Sequence, residues 1–290
     1  MESFGHQDTN DKEVQPLRMK MNDCAELYQV SCNVTKFDAV YFLEQNKDRI
    51  KWKPVGDRSI DIGCADGSVT TILESYLPSN YKSLLGCDIN EAMVKFANKH
   101  HGTDRTQFKC FDIEGDLPHE MVKGYDHVFS LYTLQWIRRQ EKAFGNIYNM
   151  IDDFGDCFLT FLAHTPVYSV YQALAATDKW STYLTDLEYF VSPYHDCQEP
   201  DKKVFDIMTK IGFKDIDVKC KQLIYIYKTM EAFTNLMLAV NPYHIPNKLL
   251  NEFVEDIKKV ARDMRLVHLN EKNVETLRCK YNLIVVYAQK

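Results

Sequence analysis

The chain has 290 residues, 45% of them hydrophobic and 26% charged, an ordinary globular composition that excludes low-complexity and fibrous classes. Its formal charge of −6 argues against a nucleic-acid duplex as main partner. Nine scattered cysteines without a C-x-x-C pair read as reduced thiols rather than a disulfide framework or zinc site, and no apolar run nears the roughly 18–20 residues of a membrane span, so a soluble, cytoplasmic protein is expected.

Residues 1–20 lack hydrophobic periodicity and are expected to be a disordered extension, followed by one domain over 21–290. From Cys24 to Lys51 the spacing of Ala25, Tyr28, Cys32, Val34, Phe37, Val40 and Tyr41 predicts two helices or one broken helix. This arm, residues 21–51, either folds over a ligand through Tyr28 and Phe37 or simply packs on the sheet. A core over 58–162 follows. A strand over 58–62 carries Asp61 near its end, and Gly63 and Gly67 let the backbone approach a ligand where a Cβ would collide. Val69, Ile72, Leu73 and Tyr76 give a helix over 68–76. The next strand, 83–88, ends on Asp88, about twenty residues after the glycine turn, where an acid can accept hydrogen bonds from both hydroxyls of a ribose. A helix with Met93, Phe96 and Ala97 inward leads to strands over 106–111 and 126–131. Trp136-Ile137 then opens a helix bearing Ala143, Phe144 and Ile147, and a strand over 156–162 completes a βα alternation. That alternation predicts a parallel, doubly wound, Rossmann-like α/β sheet with helices on both faces.

The second half loses this rhythm. Residues 164–198 are rich in aromatics without strand alternation and suit an inserted helical cap, continued over 229–268. A helix over 200–211 stops at Gly212, a strand over 213–227 follows, and a final strand over 281–288 is expected to join the sheet antiparallel. Asn241-Pro242 and Ser192-Pro193 read as helix boundaries, and His100-His101 lacks the spaced partners of a metal site.

Three ligands could suit the glycine turn. A dinucleotide wants G-x-G-x-x-G, whereas here the third small residue sits at another offset. A P-loop needs a lysine that Gly67-Ser68 does not supply. S-adenosylmethionine needs a close backbone approach, an acid after the second strand and a hydrogen-bonding edge after the third. Asp61, Gly63 and Gly67, then Asp88 with Ile89, then Asp112 and Ile113 supply these in register, with Ser130 on the fourth strand as a further candidate. An Asp at a strand end is otherwise often only a helix cap.

The runs Asp61 to Gly67, Gly86-Cys87-Asp88, Asp112 to Asp116 and Phe129 to Trp136 resemble the insect juvenile hormone acid methyltransferases. The similarity continues through Glu141 to Phe144, Ser192 to Asp196 and Asn241-Pro242, and so spans residues 24–290. The resemblance implies a class I methyltransferase fold with a helical cap, S-adenosylmethionine as methyl donor without a metal, and esterification of a juvenile hormone acid, farnesoic acid or related fatty acid. The expected partner is thus a small apolar carboxylic acid, with no nucleic acid or membrane, and a homodimer is left open.

A carboxylate acceptor is already ionised near neutral pH and needs orientation rather than a general base. Because charge is annihilated in the transfer, a dry pocket with neutral donors serves better than a lysine or arginine clamp. Trp136, with one indole N–H, fits that role unless it is only a core residue before a helix. The substrate pocket is expected to draw on Tyr28, His164, Tyr168, Tyr171 and Trp180, with a structural role for His164 equally open. The family pattern also places a Gln on the arm and a His before the Trp, and these positions fall on Thr35 and Gln135 here. Either Gln135 supplies the amide donor lost at position 35, or the chain is a diverged paralogue that binds lipid or S-adenosylmethionine with weak or no activity. A small-molecule N-methyltransferase is the remaining alternative.

Overall fold

A computed structural model describes residues 24–290, so the predicted extension over 1–20 lies outside the described residues. The arm forms two helices, α1 (Ala25–Ser31) and α2 (Asn33–Asn46). They break at Cys32, whose carbonyl accepts the Thr35 hydroxyl at 2.7 Å. Val34, Asp38 and Phe42, four residues apart, face inward with Thr35 and Ala39 beside them. Phe37, Val40 and Tyr41 consequently point outward, Phe37 at 58% exposure, and the reading that brings Phe37 to the glycine turn is corrected.

The core follows as β1 (Arg58–Ile62), α3 (Ser68–Glu74), β2 (Ser83–Asp88), α4 (Glu91–His101), β3 (Thr106–Cys110), β4 (Tyr125–Leu131), α5 (Gln140–Met150) and β5 (Ile151–His164). Then come α6 (Pro166–Ala175), α7 (Leu187–Phe190), α8 (Pro200–Ile211), β6 (Lys214–Tyr227), α9 (Met230–Ala239), α10 (Asn247–Asp263), β7 (Val267–Leu269) and β8 (Glu275–Gln289). Gly212 ends α8 at φ +114°, the left-handed conformation that favours glycine.

The strands form one sheet in the order β3-β2-β1-β4-β5-β8-β6, with β7 paired to β8. β1 to β5 are parallel, while β8 runs antiparallel to both β5 and β6, as expected for the last strand. β8 starts at Glu275 rather than Tyr281, and β7 is an addition to the expected elements. The alternating Glu275-Thr-Leu-Arg-Cys-Lys280 segment exposes one face and so lacks the continuous apolar run that marks 281–288.

Helices cover both faces. Phe42 and Leu43 of α2 with Leu73 of α3 meet Phe129, Phe158 and Leu283 on one side. Phe144 and Ile147 of α5 with Val204 and Met208 of α8 meet Val128, Leu159 and Ile284 on the other. A third cluster joins α1 to the helices beyond the strand ends, through Tyr171, Trp180, Phe190, Phe233 and Phe253. At the opposite end of the sheet, His127 of β4 is buried between Asp156 (2.6 Å) and Asp57 (3.1 Å), with Trp52 edge-on to its ring. The strand order reverses between β1 and β4, so the crevice for a ligand lies at their carboxyl ends.

Candidate active site

Two cavities meet at that crevice. The first, about 950 Å³ including its open mouth, lies along the ends of β1, β2, β3 and β4. Gly63 lines it at φ +78°, and its N–H donates to Cys87 O at 2.6 Å. A Cβ there would stand 1.9 Å from Thr133 Oγ1, so no other residue fits without displacing Thr133. Asp88 is fixed by backbone donors, Oδ2 accepting from Ala65 N–H (2.9 Å) and Oδ1 from Asn90 N–H (2.8 Å). Each oxygen keeps further acceptor capacity toward the cleft. Burial raises the Asp88 pKa while these bonds lower it. Ile89, Asp112 and Ile113 complete the predicted set that lines the cleft, and Asp112 Oδ1 accepts from Glu114 N–H at 2.9 Å.

Asp61 sits behind this surface. Its Oδ2 accepts from the Thr70 hydroxyl at 2.7 Å, while Oδ1 is buried without a hydrogen-bond partner among the described residues. Burial first, with Thr70 opposing and Asp88 reinforcing, pushes its carboxyl up to about 7. Gly67 and Ser130, like Asp61, do not line the cleft. Gly67 adopts φ +82° at the start of α3, where a Cβ would stand 3.0 Å from Ala97 Cβ, so its role is close packing. The Ser130 hydroxyl is fully buried and donates to Ile62 O at 2.9 Å, tying β4 to β1.

The second cavity, about 660 Å³, lies beyond the first and is walled by aromatic and aliphatic side chains, among them Tyr168, Tyr225, Tyr227, Leu236 and Tyr281. Among the described residues, no Lys, Arg, His, Asp or Glu lines it. Tyr28, Tyr132, Trp136 and Val240 line both cavities and form their common wall. Trp136 is half-buried, edge-on to Tyr168 at 6.2 Å and tilted on Phe190 at 5.1 Å. The Tyr168 hydroxyl is buried without a partner.

Thr35 and Gln135 both stand in the wall of the apolar chamber. Thr35 spends its hydroxyl proton on Cys32 O. The Gln135 amide spans the backbone, donating to Tyr132 O at 2.6 Å and accepting from Leu162 N–H at 3.3 Å. Gln135 therefore braces the chamber wall, and one of its two amide N–H bonds is committed to that task.

Three residues expected at the pocket lie elsewhere. His164 stacks on His195 at 4.5 Å and lines neither cavity. Tyr171 donates its hydroxyl to Met237 O at 2.7 Å, and Trp180 its indole N–H to Asp256 Oδ2 at 2.8 Å, both inside the helical cluster. Periodicity marks such residues as inward but does not say which interior they enter. Conversely, Tyr132, Val240, Pro242, Tyr225, Tyr227 and Cys279 reach the cavities without having been expected there. Pro242 follows α9, so the Asn241-Pro242 boundary also shapes the cleft, its Asn241 side chain bracing the backbone of Tyr243. Among the described residues no group of three His, Cys, Asp or Glu could hold a metal, and no helix is long and apolar enough to cross a membrane.

A family profile described as a methyltransferase domain matches residues 60–157. The juvenile hormone acid O-methyltransferase of Bombyx mori is 51% identical over 269 residues, 92% of this chain and 97% of that protein. The protein of the same name from Drosophila melanogaster is 33% identical over 272 residues, 92% of each. Among solved structures, the Bacillus subtilis YcgJ protein superposes with a TM-score of 0.56 at 14% identity, covering 86% of this chain and 97% of that one. Phosphoethanolamine N-methyltransferase 2 of Haemonchus contortus, in complex with S-adenosyl-L-methionine, does so at 0.51 and 17%, covering 87% of this chain and 52% of that longer one. At such identities the structural likeness concerns the fold, a class I methyltransferase sheet.

Proposed function

The chain belongs to the juvenile hormone acid O-methyltransferase family, and from that premise we propose that it esterifies the carboxylate of a juvenile hormone acid, farnesoic acid or a related fatty acid with the methyl group of S-adenosylmethionine. The observation that carries this reading is the pairing of an acid-lined cleft with a chamber that no charged residue lines among the described residues, joined at Trp136.

The residues of the cleft fit the methyl donor. The buried, partnerless Asp61 Oδ1 suits an ammonium group, Gly63 gives a backbone approach that a Cβ would close, and Asp88 offers acceptors for ribose hydroxyls. Ile89, Asp112 and Ile113 would flank the adenine. When bound, the donor supplies an electrophilic methyl on a sulfonium.

On the acceptor side, Tyr28, Tyr132, Trp136 and Val240 hold the passage between the cavities, where the carboxylate would meet the donor. The Trp136 indole can donate one hydrogen bond without carrying charge, which orients the carboxylate and leaves its nucleophilicity largely intact. Tyr168 and the aliphatic walls exclude water, and a desolvated carboxylate reacts more readily than a hydrated one. Orientation in a near-attack geometry supplies the rest.

The rival reading, a diverged paralogue, draws on Thr35 and Gln135, whose side chains already serve backbone partners. An amine acceptor is less well served, since the chamber wall offers no carboxylate to a cation. A labelled-methyl transfer assay over a panel of apolar acids and amines separates the three. Labelled ester with the acids supports the proposal, labelled amine replaces it, and donor binding by calorimetry without any labelled product establishes the silent paralogue. Under the paralogue reading, Thr35→Gln with Gln135→His raises turnover of the acid, whereas an already high rate left unchanged or lowered removes that reading.

A further inference from the structure

Asp38 is a carboxylate on α2 with 1% exposure and no cationic partner among the described residues. The Tyr281 hydroxyl lies within hydrogen-bonding distance of both its oxygens, at 2.9 and 2.8 Å, and the Tyr132 hydroxyl donates to Oδ2. Burial raises its pKa and the two tyrosines pull the other way. A buried charge held only by neutral donors is costly, and an apolar residue of similar size would serve packing at least as well.

The three residues belong to three distant segments: the arm, the end of β4, and β8. Tyr132 takes φ +68°, unusual for an aromatic residue, and its backbone is held by Thr160 O at 2.7 Å and by the Gln135 amide. Its ring lines both the donor cleft and the apolar chamber, and Tyr281 lines the chamber. A carboxylate has two oxygens and can accept both hydroxyls at once. An asparagine keeps one acceptor oxygen but replaces the other, and the negative charge, with an NH2 donor.

We propose that Asp38 is a positioning residue for methyl transfer, which fixes the Tyr132 ring in the wall between donor and acceptor and fastens the arm to β4 and β8. The role deepens the esterification reading and rests on it. It acts through Tyr132 and Tyr281 and requires no contact between Asp38 and substrate.

The test compares wild type with Asp38→Asn, Tyr132→Phe, Tyr281→Phe and the double variant Asp38→Asn/Tyr132→Phe. Labelled ester from the wild-type enzyme first settles the esterification reading by itself. Each variant is then measured for kcat and acceptor KM per folded molecule, for donor affinity by calorimetry, and for amide hydrogen exchange across α2. The expected result for Asp38→Asn is a kcat lowered about tenfold or more, donor affinity held within about threefold, and faster exchange across α2. Tyr132→Phe gives a similar loss, and the double variant is no worse than the more impaired single one, because both break the same link. Losses that multiply in the double variant overturn the proposal, as does a loss no larger than the unfolded fraction. Unchanged kcat and unchanged α2 exchange also overturn it. Should Asp38→Asn fail to fold, the two Tyr→Phe variants, which keep the carboxylate, decide between the same outcomes. Should the wild type make no ester, esterification falls, and α2 exchange in the variants still decides whether Asp38 fastens the arm.

Discussion

Thr133 stands where the side chain of residue 63 would be: a Cβ on Gly63 would lie 1.9 Å from Thr133 Oγ1, while that hydroxyl donates to Gly63 O at 3.2 Å. The turn at the end of β1 is thus locked to the residue after Tyr132 and has no room for a methyl group. Gly63→Ala must shift Thr133 and also adopt φ +78°, a strain of about 1–3 kcal/mol for a non-glycine residue. Donor affinity measured by calorimetry should fall about tenfold or more. Undiminished affinity would remove Gly63 from the donor site.

The proposed place of Asp61 beside the donor predicts a pH dependence of donor binding. Its carboxyl is pushed up from 3.8 to about 7 by burial, against the Thr70 bond and helped by Asp88. A cation bound beside it favours the ionised form. Donor affinity should therefore rise between about pH 6 and pH 7.5, with proton release on binding that calorimetry in buffers of different ionisation enthalpy detects. The stability of the fold itself should run the opposite way. A folded pKa above the unfolded one gives stability that is full below 3.8 and lost as pH rises through about 7. Asp61→Asn should flatten both profiles, and a pH-independent wild-type affinity over this window would count against the assignment.

Trp136 and Trp180 should separate cleanly. Trp136 lines both cavities, so Trp136→Phe, which keeps a ring and removes the N–H, should lower kcat for the acid about tenfold with donor affinity little changed. Trp180 lies in the helical cluster with its N–H on Asp256, so Trp180→Phe should cost about 1–3 kcal/mol of stability and leave kcat of the folded enzyme alone. Kinetics and thermal melts of the two variants check this. A kcat loss confined to Trp180→Phe would reverse the placement of the pocket.

His127 predicts a pH dependence of stability at the far end of the sheet. Burial opposes its charge, but Asp156 and Asp57 hold its pKa above the ordinary 6.5. The stabilisation is full below that value and is lost as pH rises through the folded pKa. Urea midpoints measured from about pH 6 to pH 9 should fall with rising pH in wild type, and this component should be missing in His127→Gln. Equal slopes in both proteins would show that His127 does not carry this pH dependence.

Much of the acid-lined cleft was legible because its signals are local. β1 and β2 occupy their predicted spans, 58–62 and 83–88, and Gly63, Asp88, Ile89, Asp112 and Ile113 all line one cleft. Each is set by its own strand end, and parallel strands in a doubly wound sheet bring those ends together. Gly67 and Ser130 share the same motif segments but face the protein interior, a distinction of side-chain direction that spacing does not carry.

The apolar chamber depends on contacts between segments far apart in the chain. Tyr225 and Tyr227 of β6 and Cys279 and Tyr281 of β8 form one chamber wall because β8 inserts between β5 and β6. Tyr28 joins them from the arm and Tyr168 from α6, whereas Tyr171, one turn further along α6, turns into the helical cluster. The sequence by itself determined the sheet, the glycine turn and the acids at the strand ends, since periodicity and backbone sterics act over a few residues. Only tertiary packing decided which aromatics line the cavities and which face each other, and it alone joined Asp38 to Tyr132 and Tyr281, because burial is a property of the assembled fold.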